Sequence, residues 1–585
     1  MRISRVKVHN YRNIDGIEIL LNPECNYIIG ENNLGKSNFL AMLSTVCSGR
    51  GFDEHDFFDS EKSIEIEIDI QLLPNEQGFF GDNFCPEDAS LIRIRYSQAI
   101  KDAYPTIVSA DSNEGIQPRQ MRKLNFIKYE TTSAPNKELR LNTQKGIGLL
   151  VSNIIERYNN DGEEHTFLNA KQVTGLMTYI NGYLDKIKGF HDYSIKATVA
   201  PQPVEMLSNL FYLSDGERKI ETTGSGVQYM SMASIAVLGQ IMEIYKSKAV
   251  AFSDLLYTNH DGKRYLPLVL SIDEPEVHLH PYLQRSLINY YKRILQNKDK
   301  EFAELLKGLF DIDGLSGQLI VVTHSTDALI GDYRNLVRFY KNTDKKTSVI
   351  SGYSLRPITG EDNTARIKSE IEKHLIMRFP EIKEAFYSKC AILIEGETEY
   401  GCIFDFAQKA GVSLDDNSIC VIKAGGEHSI QPIRHLLELF AIPSVAIYDR
   451  DVEHGHTHSS DEFYTTEPCF EIEIVKCLYI AGKLDIIKQI ALDIDNRVST
   501  MVLDANLVKS VFKKMGISVD GYVPKKLSDV DDDNVDEFCS MYSAWYMAKK
   551  GILLGRIVGD AVPAENIPTS YSSAILRAQE VAQNA

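Results

Sequence analysis

Two groups of residues have the types and spacing for phosphate chemistry. The first is Gly30-Glu31-Asn32-Asn33-Leu34-Gly35-Lys36-Ser37, which fits G-x-x-x-x-G-K-S between the apolar run NYII and the helically spaced run KSNFLAMLSTVC. In that context Gly30 and Gly35, with Asn33 between them, let backbone N–H groups close around phosphate oxygens at a helix N-terminus. Lys36 would reach the β- and γ-phosphates of ATP, and the Ser37 hydroxyl would ligate Mg²⁺. By average composition the bare pattern arises by chance in roughly 2% of chains this long, so coincidence is a weak explanation. The second group is an apolar run ending in Glu395-Gly396-Glu397-Thr398-Glu399, followed some fifty residues on by VAIYDRD, with Asp449 and Asp451. Residues two apart on a strand face the same way, so both aspartates can present carboxylates to one site. Glu395 on an adjacent strand, and Glu399 one helical turn later, can join them. Such an oxygen-only set suits Mg²⁺ or Mn²⁺ rather than zinc.

Further motifs extend the first group. LPLVLSIDE is an apolar strand ending in Asp273, the acid expected to orient Mg²⁺, and Glu274, the expected base for the attacking water. QLIVVTHS ends in His324, placed to sense the γ-phosphate. Between P-loop and acidic strand lies Thr223-Gly224-Ser225-Gly226-Val227-Gln228, opening a helix. Its Ser225, Gly226 and Gln228 resemble the S-G-x-Q signature of ABC-type ATPases. Taken alone, each is an ordinary strand end or helix cap; their order makes coincidence a poor account.

NYRN at 10–13, GENNLGKS, GSGVQ, SIDEPEVHLHP and VVTHS together resemble the ABC-type heads of SMC, RecF and OLD proteins. IEGE and DRD, following such a head, resemble the Toprim domain of the OLD (overcoming lysogenisation defect) nucleases, as does IPTSYSSAI near the C-terminus. No long heptad region interrupts the chain, which separates it from SMC proteins. The resemblance implies an ATP-binding, metal-dependent DNA endonuclease or nickase acting in bacterial defence against phage. It implies ATP held between two heads of a homodimer or higher oligomer, and a partner encoded nearby: a helicase, or a reverse transcriptase with its nucleic acid. It also implies a further acidic patch, for which Glu471 and Glu473 are preferred over Glu467, and a late lysine, Lys550 or its neighbour Lys549. Gln71 is the candidate for the superfamily's glutamine loop.

These motifs need elements to position them. ISRVKVHNYR and GIEILLN alternate as a hairpin; IEIEIDIQLL and LIRIRYS read as paired strands. The expected fold is α/β: an ABC/SMC-like head over 1–140 and 206–355, a helical insertion over 141–205 serving dimerisation, and a Rossmann-like Toprim domain over 386–585. The EHGHTH histidines, His454, His456 and His458, are expected on an exposed loop, and His278 and His280 on a subunit-facing loop of the head.

Composition limits the remaining choices. The apolar fraction of 43% is that of a globular protein, and no run approaches the ~20 apolar residues of a membrane span. Nine cysteines form no CxxC pair, which points to the reducing cytoplasm rather than a zinc knuckle. A net charge of −18 excludes coating nucleic acid by bulk attraction but leaves room for a local basic groove. Two rival readings are a non-nucleolytic ATPase whose Toprim-like part only binds, and a topoisomerase or primase. No separate domain offering a tyrosine nucleophile is evident for the latter.

Overall fold

The computed structural model describes residues 1–130, 148–154, 178, 225–247, 250–355, 376–450, 459–518 and 522–584, apart from positions 82 and 278. The expected helical insertion falls almost wholly outside them, as do Asp451 and the EHGHTH histidines. The described chain forms two compact units, Met1–Ile28 with Gly35–Ile330, and Ile29–Leu34 with Gly331–Ala585.

The first unit holds two sheets. One is antiparallel, ordered β2 (Ile17–Leu20), β1 (Arg2–His9), β4 (Ile64–Gln71), β5 (Leu91–Gln98) and β6 (Thr106–Ser109). The strict alternation of IEIEIDIQ buries every isoleucine of β4 and leaves its polar residues partly or fully exposed, as a half-buried strand requires. The other carries the nucleotide motifs. β3 (Cys25–Ile29) and β9 (Arg264–Asp273) flank β10 (Gly314–Val322), all parallel, with β7 (Phe126–Glu130) parallel to β9. The short β8 (Tyr257–Thr258) pairs antiparallel with β9. β3 is buried throughout, and β9 and β10 nearly so, which is why these runs are continuously apolar. α1 (Lys36–Ser48), α2 (Ser225–Lys246) and α3 (Pro281–Leu295) accompany these sheets.

The second unit opens with an antiparallel pair, β11 (Leu336–Lys341) and β12 (Thr347–Ser351). Its central sheet is parallel throughout, ordered β14 (Ile419–Lys423), β13 (Cys390–Ile394), β15 (Ser444–Tyr448) and β16 (Glu462–Tyr464). Around it lie α4 (Glu397–Lys409), α5 (Glu427–Leu439), α6 (Phe470–Ile480), α7 (Val535–Ala548), α8 (Ile552–Ala561) and α9 (Thr569–Asn584). The buried Arg338 of β11 donates to the carbonyls of Phe440 (2.7 Å) and Ala441 (3.1 Å), satisfying groups that the end of α5 leaves open. α4 and α8 cross at glycine: a Cβ on Gly401 would lie 2.8 Å from the Gly555 Cα, so the helices meet backbone to backbone.

Candidate functional sites

The nucleotide motifs converge at the C-terminal ends of the parallel strands in the first unit. Gly35 caps α1 with φ 95°, and a Cβ there would strike the side chains of Ile14 and Asn13, so only glycine fits. Lys36 begins the helix and is buried. The Ser37 hydroxyl donates to Asp273 at 3.4 Å, across 236 residues of sequence. A hydroxyl and a carboxylate so joined suit a hard divalent ion that carries nucleotide phosphates. In the second unit's share of this loop, Asn33 is left-handed with φ 63° and Gly30 has φ 132°. The Phe339 carbonyl occupies the place that a Cβ on Gly30 would take.

Glu274 also has a left-handed backbone, φ 52°, and its N–H donates to the Val322 carbonyl at 2.8 Å. That conformation is uncommon for glutamate and turns the residue sharply off the strand end. Burial, and then the Lys36 ammonium, lower the pKa of His324, against the raising influence of Glu276, Glu274 and Asp273. The imidazole is therefore held toward its neutral form. Glu276, which the sequence did not single out, fixes this histidine. It accepts from the Thr323 hydroxyl at 2.7 Å and from the His324 backbone N–H at 2.5 Å. Ser225, Gly226 and Gln228 stand in the first turn of α2. Gln71 pairs with Arg2, at the far end of β1 from the Asn13–Ile14 contacts with Gly35, and its amide donates to Ser90 at 2.6 Å. Strand register thus removes it from the phosphate loop.

The second unit holds a cleft of about 390 Å³ at the ends of β13 and β15, lined by Glu395, Glu399, Asp449 and Lys550 among others. Glu395 follows β13 and accepts from the Asp449 N–H at 3.1 Å, tying the two strand ends together. Asp449 follows β15, and its carboxylate accepts from the Phe470 N–H at 3.2 Å, at the start of α6. Glu399 lies in the first turn of α4, its carboxylate over Gly396, where a Cβ would come within 2.8 Å. Burial, then Glu471, raise the Glu399 pKa to about 7; burial, then Glu399 and Glu395, raise Asp449 to about 8. Burial alone would lower Lys550, but Glu471, Glu399 and Asp449 hold it above the ordinary lysine range.

Glu471 and Glu473 are both buried in α6 but face apart, since two residues on a helix turn through about 200°. Glu471 approaches Lys550 Nζ at 3.2 Å, without the alignment of a hydrogen bond, and among the described residues neither of its carboxylate oxygens has a hydrogen-bond donor. Glu473 accepts from the Thr466 hydroxyl at 3.0 Å on the other side, and Glu467 pairs with Lys476 at 2.7 Å. A fully buried carboxylate without a donor costs free energy unless a cation completes it. Glu471 beside three further acids is a donor set that fits a hard divalent ion.

Two family models match stretches of this chain. The family model for an AAA ATPase domain matches residues 1–173 and 136–329. The model described as overcoming lysogenization defect protein-like, TOPRIM domain, matches residues 386–451. This chain belongs to the OLD family of ATPase–Toprim proteins. It is 21% identical to the Old nuclease of Escherichia phage P2 over 504 residues, covering 77% of each. It is 23% identical to the OLD nuclease of Thermus scotoductus over 481 residues, 77% of this chain and 82% of that one. With the endonuclease GajA of Bacillus cereus it shares 26% identity over 200 residues, 32% of this chain and 26% of the other. As in any ATPase–Toprim protein, nucleotide and divalent metal are part of this OLD chain's chemistry.

Two features set the lysine of this OLD-family site. Lys549 Nζ turns to Asp495 at 2.7 Å, leaving Lys550 for the acids. The Thr398 hydroxyl accepts from the Gly551 N–H at 3.1 Å, and Gly551 has φ 144°, so the residue after Lys550 is pinned beside the helix of Glu399. Thr398 and Gly551 lie in motifs visible in the sequence, but their pairing across 153 residues was not.

Proposed function

We propose that this protein is an ATP-hydrolysing, divalent-metal-dependent endonuclease or nickase that cuts DNA at the acidic cleft of its second unit. The observation that carries this reading is Glu471, buried without a donor beside Lys550 in a cleft shared by Glu395, Glu399 and Asp449. Those four carboxylates would hold Mg²⁺ or Mn²⁺, with Asp451 added from beyond the described residues. Bound ions would supply Lewis acidity toward a phosphodiester oxygen and a more acidic water. Lys550 faces the charge that develops on the phosphate, and the closed hydrogen bond from Asp449 to Glu395 keeps the ligands in register.

At the first unit Lys36 would bind the β- and γ-phosphates of ATP, and Ser37 and Asp273 would hold its Mg²⁺. Glu274 takes the proton of the attacking water, and His324, kept toward neutrality and fixed by Glu276, contacts the γ-phosphate. Ser225, Gly226 and Gln228 would meet ATP bound by a second copy, which makes the active form a homodimer or larger. The head would span 1–140 and 206–355, the dimerising insertion 141–205, and the nuclease domain 386–585. Nine free cysteines favour the reducing cytoplasm, and among the described residues no helix is long and apolar enough to cross a membrane. The role we assign it is bacterial defence against phage, with a helicase, or a reverse transcriptase with its nucleic acid, encoded nearby as partner.

The test is cleavage of supercoiled plasmid with Mg²⁺ or Mn²⁺. Wild type should cut or nick, chelator should stop it, and Asp449→Ala should abolish cutting while ATP binding persists. Cutting at the wild-type rate by Asp449→Ala would place the nuclease centre elsewhere. Metal-dependent DNA binding without any cutting would favour the non-nucleolytic reading.

A further inference from the structure

The acidic cleft has a second wall, and it is cationic. Arg378, twelve residues before β13, lines the same cavity as Glu395 and Asp449. Its guanidinium lies on Gly425: a Cβ there would fall 2.7 Å from the Arg378 Cζ and 3.0 Å from one of its terminal nitrogens. Gly425 has φ 77°, so any other residue would be strained as well as obstructed. The seat is itself fixed to the catalytic strand. The N–H groups of Gly425 and Gly426 both donate to the Glu395 carbonyl, at 3.0 and 3.1 Å. Arg378 is thus held in register with the carboxylate of Glu395 through two hydrogen bonds and one van der Waals contact.

The charges nearby show what Arg378 is available to bind. The two glycine amides are already spent on Glu395, so the loop offers no N–H pair to an anion. Lys423, also on this wall, is paired with Glu397 at 2.9 Å. Lys550 faces Glu471. Among the described residues Arg378 has only a loose ion pair with Glu381, at 3.6 Å and one helical turn away, and its side chain is 29% exposed. A planar guanidinium with donors open to the cleft matches the non-bridging oxygens of a phosphate. The metal-binding acids cannot serve a phosphate that lies beyond the ions, because they repel it.

We propose that Arg378, seated on Gly425, is a positioning residue that grips an internal backbone phosphate of the DNA strand next to the one being cut. The inference rests on the nuclease reading above and adds how the strand is aligned in the cleft. It makes Gly425 part of the binding site although that residue donates nothing to the ligand.

The test separates the two readings. Fluorescence anisotropy would measure binding of a covalently closed DNA minicircle, which has no terminal phosphate, with Ca²⁺ replacing the cleaving metal. Binding would be followed against salt for wild type, Arg378→Ala, Arg378→Lys and Gly425→Ala, with thermal melting to establish folding. Arg378→Ala should weaken binding roughly tenfold and lower the slope of log K against log salt by about 0.9, the value for one lost phosphate contact on duplex DNA. Arg378→Lys should restore the slope without the full affinity, since it keeps the charge and loses the fork. Gly425→Ala should match Arg378→Ala, and the double variant should be no worse than either single one. Unchanged affinity and salt slope in folded Arg378→Ala would overturn the inference, even if wild type cuts plasmid. A defect confined to linear 5′-phosphorylated DNA would also overturn it, assigning Arg378 to a terminal phosphate. The binding measurement stands even if plasmid is never cut, so failure of the nuclease reading would be seen separately.

Discussion

The two sites solve opposite electrostatic problems. In the nucleotide site the protein's charges and dipoles are largely balanced before ligand arrives. Ser37 is joined to Asp273, Glu276 is engaged by Thr323 and His324, and the glycine-bounded loop supplies its donors from the backbone. In the acidic cleft four carboxylates gather about Lys550, two of them with strongly raised pKa values, and one with no hydrogen-bond donor among the described residues. The first site is pre-formed to receive an anion. The second gathers buried carboxylates that repel one another, so a divalent cation bound there should stabilise the fold as well as enable cutting.

The contrast can be broken most sharply from the nucleotide side. Glu274→Gln keeps the shape of the residue and removes the base, so ATP turnover should fall by roughly 10²–10⁴, the range for a lost general base. ATP should still bind, and metal binding at the acidic cleft should be untouched; normal turnover would move the base elsewhere.

In the cleft, Lys550→Ala should lower cleavage by about 10²–10³, as for removal of one transition-state donor. Lys549→Ala should stay within about twofold, because its ammonium serves Asp495, a partly exposed ion pair of small worth. Equal losses from the two variants would mean that the lysine facing the acids is not the one that acts.

A subtler test addresses pre-organisation. Glu276→Gln should keep one acceptor for Thr323 or His324 and lose the other, lowering ATPase kcat roughly tenfold through misplacement of His324. The KM for ATP should move less than kcat. A change in KM alone would show that Glu276 acts on binding.

The smallest effect tests the strain. Glu399 and Asp449 have folded-state pKa values of about 7 and about 8, above those of the unfolded chain. The folded state therefore binds more protons than the unfolded state between the ordinary carboxylate range and pH 8, and metal-free stability falls as pH rises through that window. Between pH 6 and pH 9 the metal-free Tm should drop by about 3 °C, and saturating Mn²⁺ should recover more at pH 9 than at pH 6. A metal-induced shift that shrinks with pH would contradict the strained-cleft account.

Much of this was legible in the sequence, and the gaps share a cause. Gly35, Lys36, Ser37, Asp273 and His324 could be read because each ends or opens an element whose periodicity is visible, and parallel strands deliver their C-terminal ends to one place. Glu395, Glu399 and Asp449 were legible for the same reason. Direction within an element was harder. Glu471 and Glu473 looked equivalent until α6 fixed their helical phase, and Lys549 and Lys550 until Gly551 ended the choice. Gln71 stands at a strand end, but register places it at the wrong one. Glu276 and Arg378 depend on contacts across long loops, for which no local pattern exists.

The glycine crossing of α4 and α8 has a consequence for how this protein can vary. Gly401 and Gly555 have no side chain to offer a ligand, yet they set how closely the helix of Glu399 approaches the helix that follows Lys550. A methyl group at either position would push two backbones apart and move an acid and a base of the cleft relative to each other. Among alleles selected for lost cutting but undiminished protein abundance, such inert-looking positions should recur beside the acids themselves. The precision of the centre is therefore inherited from a place with no chemistry of its own, and drift there is as constrained as at any ligand.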